Sequence, residues 1–192
     1  MKELKVLLFD IENTKIDESL FSSDDKKQLE QYKNEKVRRE KTLSLYVKRK
    51  YVGEYYLNES GKPLSRDKYF NISHKDQYLV FVIDEVPVGV DIEHLKPVKD
   101  GLINFIASEE EKAYIKDEQS FYEIWTSKEA ITKANGKGIK QKIDTIPSLP
   151  LNNIHAFEEK TYCNRTTLFK DYVITVSRES HEDYRLTIEE IK

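Results

Sequence analysis

Apolar and polar positions along the chain fall into stretches with distinct periods. The opening stretch, "MKELKVLLFDIENTK", holds one short apolar run and predicts a first strand. Residues 24–50, "DDKKQLEQYKNEKVRREKTLSLYVKRK", are dense in charge. Leu29, Tyr32, Val37, Leu43, Tyr46 and Val47 supply an apolar stripe there, so the segment predicts a helix with its charges outside. "NESGKP" at 58–63 is punctuated by Gly and Pro and predicts a loop. "QYLVFVID" at 77–84 is continuously apolar and rich in β-formers, as expected of a strand buried on both faces. "DEVP" then turns the chain into a second strand, "VGVDIE".

Pro97 ends that segment. "SEEEKAYI" predicts a helix start, and "FYEIWTSKEAITKA" a further helix closed by Asn135 and Gly136, residue types that tolerate a left-handed cap. "TTLFKDYVITVSRES" and "DYRLTIEEI" predict late strands. The order strand, helix, hairpin, two helices, strands fits an α+β or α/β protein. No repeat of fixed period and no low-complexity segment is present.

Composition narrows the class. The 192 residues suffice for one domain or two closely packed halves. With 32 basic and 35 acidic residues the formal net charge is -3, a balance that argues against a general nucleic-acid or membrane binder. Cys163 is the single cysteine, so no intramolecular disulfide and no thiolate metal cage can form, which fits a reducing cytoplasm. The apolar run at the start is too short for a signal sequence or a membrane span, so a cytoplasmic protein is expected.

"VGVDIEHL" at 88–95 places two carboxylates at i and i+2 of a strand, on one face and about 6.5–7 Å apart along the chain. Asp91 and Glu93 are therefore expected to look out together while Val90 and Ile92 face the core. Two neighbouring carboxylates raise each other's pKa unless a positive charge lies between them. A hard divalent cation such as Mg²⁺ resolves this, since it takes oxygen ligands and keeps some water. A solvated edge strand is the plainer alternative. "SEEE" at 108–111 offers a third carboxylate. Ser108 and Glu111 also match a capping box, and acidic residues in a first turn stabilise a helix, so this motif has a purely structural explanation as well.

On the helix "FYEIWTSKEAITKA", Ile124, Ala130, Ile131 and Ala134 are assigned to one side and Trp125, Lys128, Glu129, Thr132 and Lys133 to the other. An aromatic, two ammonium groups and a carboxylate on one face suit a phosphate-bearing substrate and a proton acceptor. An ordinary Glu129–Lys133 i,i+4 pair is the structural alternative. "FNISHKD" at 70–76 reads as a turn, with Ser73 as its cap.

Together, "GKP", "FNISH", "VGVDIE", "SEEE" and "WTSKEAITK" stand in the order found in the 4′-phosphopantetheinyl transferases, and the chain resembles the larger, surfactin-synthetase-activating type over about residues 60–140. The resemblance implies an α+β fold of two similar α/β halves related by a pseudo-twofold axis, here residues 1–87 and 88–192, with coenzyme A and Mg²⁺ (or Mn²⁺) between them. It implies transfer of phosphopantetheine from coenzyme A to a serine of an apo acyl or peptidyl carrier protein, with release of 3′,5′-ADP. It also implies a monomeric enzyme serving secondary metabolism, with no nucleic-acid or membrane partner.

Carried over by residue, the resemblance makes Asp91, Glu93 and Glu111 the metal carboxylates, with Glu110 as the alternative if the register slips by one. Glu129 matches a general base, in competition with a metal-bound hydroxide. Lys128, Lys133, Ser73 and His74 match phosphate contacts, and Lys133 is also counted with the catalytic groups. Lys62 resembles a contact to the 3′-phosphate, and Lys41, or else Arg39, a basic residue near the nucleotide. A shorter stretch between Glu111 and Trp125 than in many relatives puts carrier preference in doubt. Two further readings stay open: a non-catalytic binder of coenzyme A or carrier, and a metal-dependent phosphohydrolase.

Overall fold

The computed structural model describes residues 1–58, 63–138 and 142–192. Its strands form two four-stranded sheets and a two-stranded ribbon. The first sheet has the order β10 (Tyr184–Ile191), β1 (Lys2–Asp10), β5 (Tyr78–Asp84), β4 (Tyr69–Lys75). The second has the order β6 (Val88–His94), β9 (Tyr172–Glu179), β8 (Lys160–Phe169), β7 (Ile154–Phe157), antiparallel throughout. The ribbon pairs β2 (Tyr56–Leu57) with β3 (Pro63–Leu64). The helices are α1 (Ser23–Glu30), α2 (Glu35–Tyr51), α3 (Asp100–Ile106), α4 (Glu109–Tyr114) and α5 (Glu118–Asn135). The architecture is therefore α+β, and no helix among the described residues is long and apolar enough to cross a membrane.

Strand periodicity sorts the side chains into three cores. Tyr78, Val80 and Val82 of β5 join Val88, Val90 and Ile92 of β6 and Ile174 and Val176 of β9 in a core between the two sheets. Leu79 and Phe81 point the other way, against Leu43, Tyr46 and Val47 of α2. Burial on both faces is why "YLVFVID" is apolar at every position but its last. Ile131 and Ala134 of α5, with Phe121 and Ile106, cover the outer face of the second sheet. The layers run helix, sheet, sheet, helix, and fully burying each such side chain stabilises the fold by about 1.5–3 kcal/mol.

The structure revises several expectations. The helix expected over 24–50 is two helices: the first ends at Glu30 with Gln31 as its cap, and Asn34 caps the second, accepting from the Val37 N–H at 3.1 Å. "FNISHK" is not a turn but β4, antiparallel to β5, with Phe70 on the α2 side; the turn comes one residue later, at Asp76, whose φ is 50°. α3 and β7 are elements that the hydrophobic pattern did not announce. The C-terminal strand crosses the expected boundary at 87/88: β10 lies parallel to β1 from Lys2↔Tyr184 to Phe9↔Ile191 and completes the first sheet.

α5 begins at a capping box of Asp117 and Ser120 and ends at Gly136, whose φ of 77° is the left-handed cap expected from sequence. Its approach to β6 is set by Gly89. A Cβ on that residue would overlap the Ala130 carbonyl oxygen and the Ala134 amide nitrogen, both backbone atoms that no rotamer change can move. Gly89→Ala is expected to cost about 3 kcal/mol by forcing helix and strand apart. Chemical denaturation measures it, with a lower midpoint at unchanged denaturant dependence as the expected result.

Candidate active site

β6 alternates as its sequence requires. Val88, Val90 and Ile92 enter the core between the sheets, and Asp91 and Glu93 turn toward α5. β4 runs beside β6 and in step with it. The Asn71 side chain accepts from the Val90 N–H at 3.0 Å, Ser73 Oγ donates to Asp91 Oδ1 at 3.1 Å, and Lys75 Nζ lies 2.5 Å from Glu93 Oε2. Above them, α5 contributes Trp125, Glu129 and Lys133 at i, i+4 and i+8, one turn apart on a single face. Ile72, Ser73, His74, Asp91, Ile92, Glu93, Trp125, Glu129 and Lys133 enclose a cleft of about 360 Å³ between the two sheets' edges and α5.

The electrostatics of the cleft follow from burial. Asp91 is only 4% exposed. Burial pushes its pKa up, Lys133 opposes the shift through charge and a hydrogen bond, and Glu93 adds to it. Lys133 Nζ donates to Asp91 Oδ1 at 2.5 Å and to Ser73 Oγ at 3.1 Å. Asp91 Oδ2 is buried with no hydrogen-bond partner among the described residues. A buried carboxylate oxygen without a donor is costly unless something positive meets it. The pKa of Glu129 is also raised, first by burial and then by the Asp91 charge. Glu93 Oε1 accepts from Trp125 Nε1 at 3.4 Å, which gives the indole its polar partner and explains a tryptophan among charges.

His74 Nε2 and Lys41 Nζ both reach Glu40 Oε1, at 3.1 and 3.2 Å, so α2 and β4 bring these two expected contacts together at the mouth of the cleft. Burial lowers the pKa of His74, an effect that Glu40 opposes. Arg39, the competitor of Lys41, is committed elsewhere. Its guanidinium donates to the carbonyls of Ile11 at 2.7 Å, Glu12 at 3.2 Å and Thr14 at 2.5 Å, and so ties down the loop after β1. Lys62 lies outside the described residues.

Two expected site residues are not in the cleft. Glu111 forms the capping box of α4, where its Oε2 accepts from the Ser108 N–H at 2.7 Å. Its Oε1 accepts from Ser148 Oγ at 2.5 Å, and Lys128 Nζ lies 2.8 Å from Oε2. Lys128 is wholly buried, and its other donors reach the carbonyls of Ile143 at 3.0 Å and Ile146 at 2.8 Å. Both residues serve the packing of α4, α5 and the segment after α5. The sequence carried the signal: at about 100° per residue Lys128 lies roughly 40° from Ile124, so it shares the apolar side of α5 rather than that of Trp125. Glu110 is exposed and does not line the cleft either. Glu129, expected as the base, is the third carboxylate that lines the cleft. Lys75 took no part in the sequence reading, although its i+2 spacing from Ser73 mirrors that of Asp91 and Glu93.

Asp91, Glu93 and Glu129 form an all-oxygen donor set suited to a hard divalent cation, and the unpartnered Asp91 Oδ2 fits such an ion. Among the described residues no three acidic, imidazole or thiol side chains converge as a metal cluster, and two of the cleft's carboxylates are paired with lysines.

A family model of the 4′-phosphopantetheinyl transferase superfamily matches residues 87–189, which contain β6, α5 and every carboxylate of the cleft. The 4′-phosphopantetheinyl transferase ffp of Bacillus subtilis is 38% identical over 96 residues, 45% of this chain and 43% of that protein. Similarity extends to gsp of Aneurinibacillus migulanus, 38% identical over 89 residues, covering 43% of this chain and 38% of the relative. AcpT of Salmonella typhi is 34% identical over 109 residues, half of this chain and 57% of its own. The chain thus spans less than half the length of the first two relatives.

Two outcomes follow from the charges. Lys128→Met leaves the Glu111 carboxylate buried and unpaired and is expected to cost about 3–5 kcal/mol in urea denaturation, with Glu111→Gln in the same chain recovering part of it. For Glu129, a raised folded-state pKa means that its contribution to stability is fully present below its unfolded value near 4.3 and is lost as pH rises through the folded value. Glu129→Gln is therefore expected to raise the thermal midpoint at pH 7 and to lose that advantage below pH 4, as read by calorimetry at both pH values.

Proposed function

Because the chain belongs to the 4′-phosphopantetheinyl transferase superfamily, we propose that it transfers the 4′-phosphopantetheine group of coenzyme A to a serine hydroxyl of an apo acyl or peptidyl carrier protein. The other product is 3′,5′-ADP. The observation that carries this reading is the buried, unpartnered Asp91 Oδ2 in a cleft shared with Glu93, Glu129 and Lys133. The meeting of two sheets at β4 and β6 supports a two-halved fold with the coenzyme between the halves. The buried, single thiol and the need for coenzyme A favour the cytoplasm.

In this reading Asp91, Glu93 and Glu129 hold Mg²⁺ or Mn²⁺, which supplies neutralising charge to the diphosphate of coenzyme A. Lys133 and Ser73, already linked to each other and to Asp91, orient the phosphate oxygens. His74 adds a ring N–H at the mouth beside Lys41. The carrier serine Oγ attacks the β-phosphorus, the bond from that phosphorus to the oxygen of the ADP side breaks, and the serine proton passes to Glu129.

Intact-mass analysis of a panel of apo carriers, after incubation with the protein, coenzyme A and Mg²⁺, tests the reaction. A gain equal to one phosphopantetheine is expected on at least one carrier. Asp91→Asn and Glu129→Gln are expected to lower the rate by about 10²-fold or more while leaving a folded protein. No gain on any carrier, or undiminished rates in both variants, would overturn the reading.

A further inference from the structure

The three carboxylates of the cleft are not equally available. Asp91 has one oxygen committed to Ser73 and Lys133 and the other without a partner. Glu129 makes no hydrogen bond among the described residues. Glu93 has both oxygens engaged, Oε1 by the Trp125 indole and Oε2 by the Lys75 ammonium. A divalent cation finds no hydrogen bond to displace at Asp91 Oδ2, whose other oxygen already meets Lys133, but takes Glu93 Oε2 only if Lys75 leaves. A divalent cation and an ammonium sharing that one oxygen would repel each other at close range.

Lys75 is placed to leave. It is the last residue of β4, next to the Asp76 turn, and its side chain is 35% exposed against 17% for Glu93. Its ammonium stands at the rim of the cleft on a flexible stem, with His74 as the adjacent residue.

We infer that Lys75 is an exchangeable internal cation. It neutralises Glu93 in the free protein, yields that oxygen to the divalent ion, and passes to the diphosphate oxygens of the incoming nucleotide. The inference rests on the metal reading of the cleft given above. Its consequence is coupling: the metal binds weakly alone because it must evict an ammonium with nowhere to go. It binds tightly with the diphosphate because the ammonium then has a new partner. By linkage the metal favours the diphosphate to the same degree.

Mn²⁺ binding, followed by the electron-paramagnetic signal of the free ion, tests this with wild type, Lys75→Met and Asp91→Asn, each with and without coenzyme A. Lys75→Met is expected to bind Mn²⁺ alone about ten-fold more tightly than wild type, and to show a correspondingly smaller gain on adding coenzyme A. Lys75→Gln, also uncharged, is expected to repeat the result, and Lys75→Arg to restore the wild-type pattern. Equal or weaker Mn²⁺ binding by both uncharged variants, with Asp91→Asn impaired, overturns the role of Lys75 alone. Unchanged Mn²⁺ binding by Asp91→Asn overturns the metal reading itself, and the inference with it.

Discussion

The close contact between α5 and β6 at Gly89 is the constraint on which the site depends. With a hydrogen in place of a methyl, the helix backbone rests directly on the strand. At that separation residues spaced by two on the strand meet residues spaced by four on the helix. Asp91 and Glu93 then face Trp125, Glu129 and Lys133 with no filler between them. Any larger residue at 89 would widen the gap and leave the carboxylates either solvated or unpaired, and neither state keeps an aspartate at 4% exposure.

The second sheet solves a charge problem in two different ways on the two sides of one helix. On the packed side, Lys128 and Glu111 neutralise each other completely, with Ser148, the Ser108 N–H and two carbonyls completing the set. On the cleft side, neutralisation is partial: Lys133 meets one oxygen of Asp91, Lys75 one oxygen of Glu93, and Glu129 keeps its raised proton affinity. The two kinds of pairing lie one residue apart in sequence, at Lys128 and Glu129.

Much of this was legible in the chain. The unbroken apolar run at 78–83 announced a strand buried twice, the i,i+2 carboxylates announced a shared face, and Gly136 announced the end of α5. The capping-box alternative for Ser108 and Glu111 described what Glu111 does. Lys128 was misplaced because a charged residue was taken for an outward one, although its spacing from Ile124 and Ile131 puts it inside. The remainder is non-local. No local pattern reveals that Asn71, Ser73 and Lys75 march beside Val90, Asp91 and Glu93, because that register is fixed by the first sheet packing on the second. Nor does any pattern reveal that Arg39 spends its donors on the carbonyls after β1.

The parallel pairing of β10 with β1 carries a consequence for the order of assembly. β1 leaves the ribosome well before its outer neighbour β10, from which the rest of both sheets separates it in sequence. Until then β1 presents a bare edge of unpaired amides and carbonyls, a surface open to pairing with another nascent chain. Joining strands so far apart in sequence, from Lys2↔Tyr184 to Phe9↔Ile191, also has a high loop-closure cost, which makes it a slow event. Closure of the first sheet therefore waits for β10, and until it arrives the exposed edge of β1 is the part of the sheet most open to aggregation.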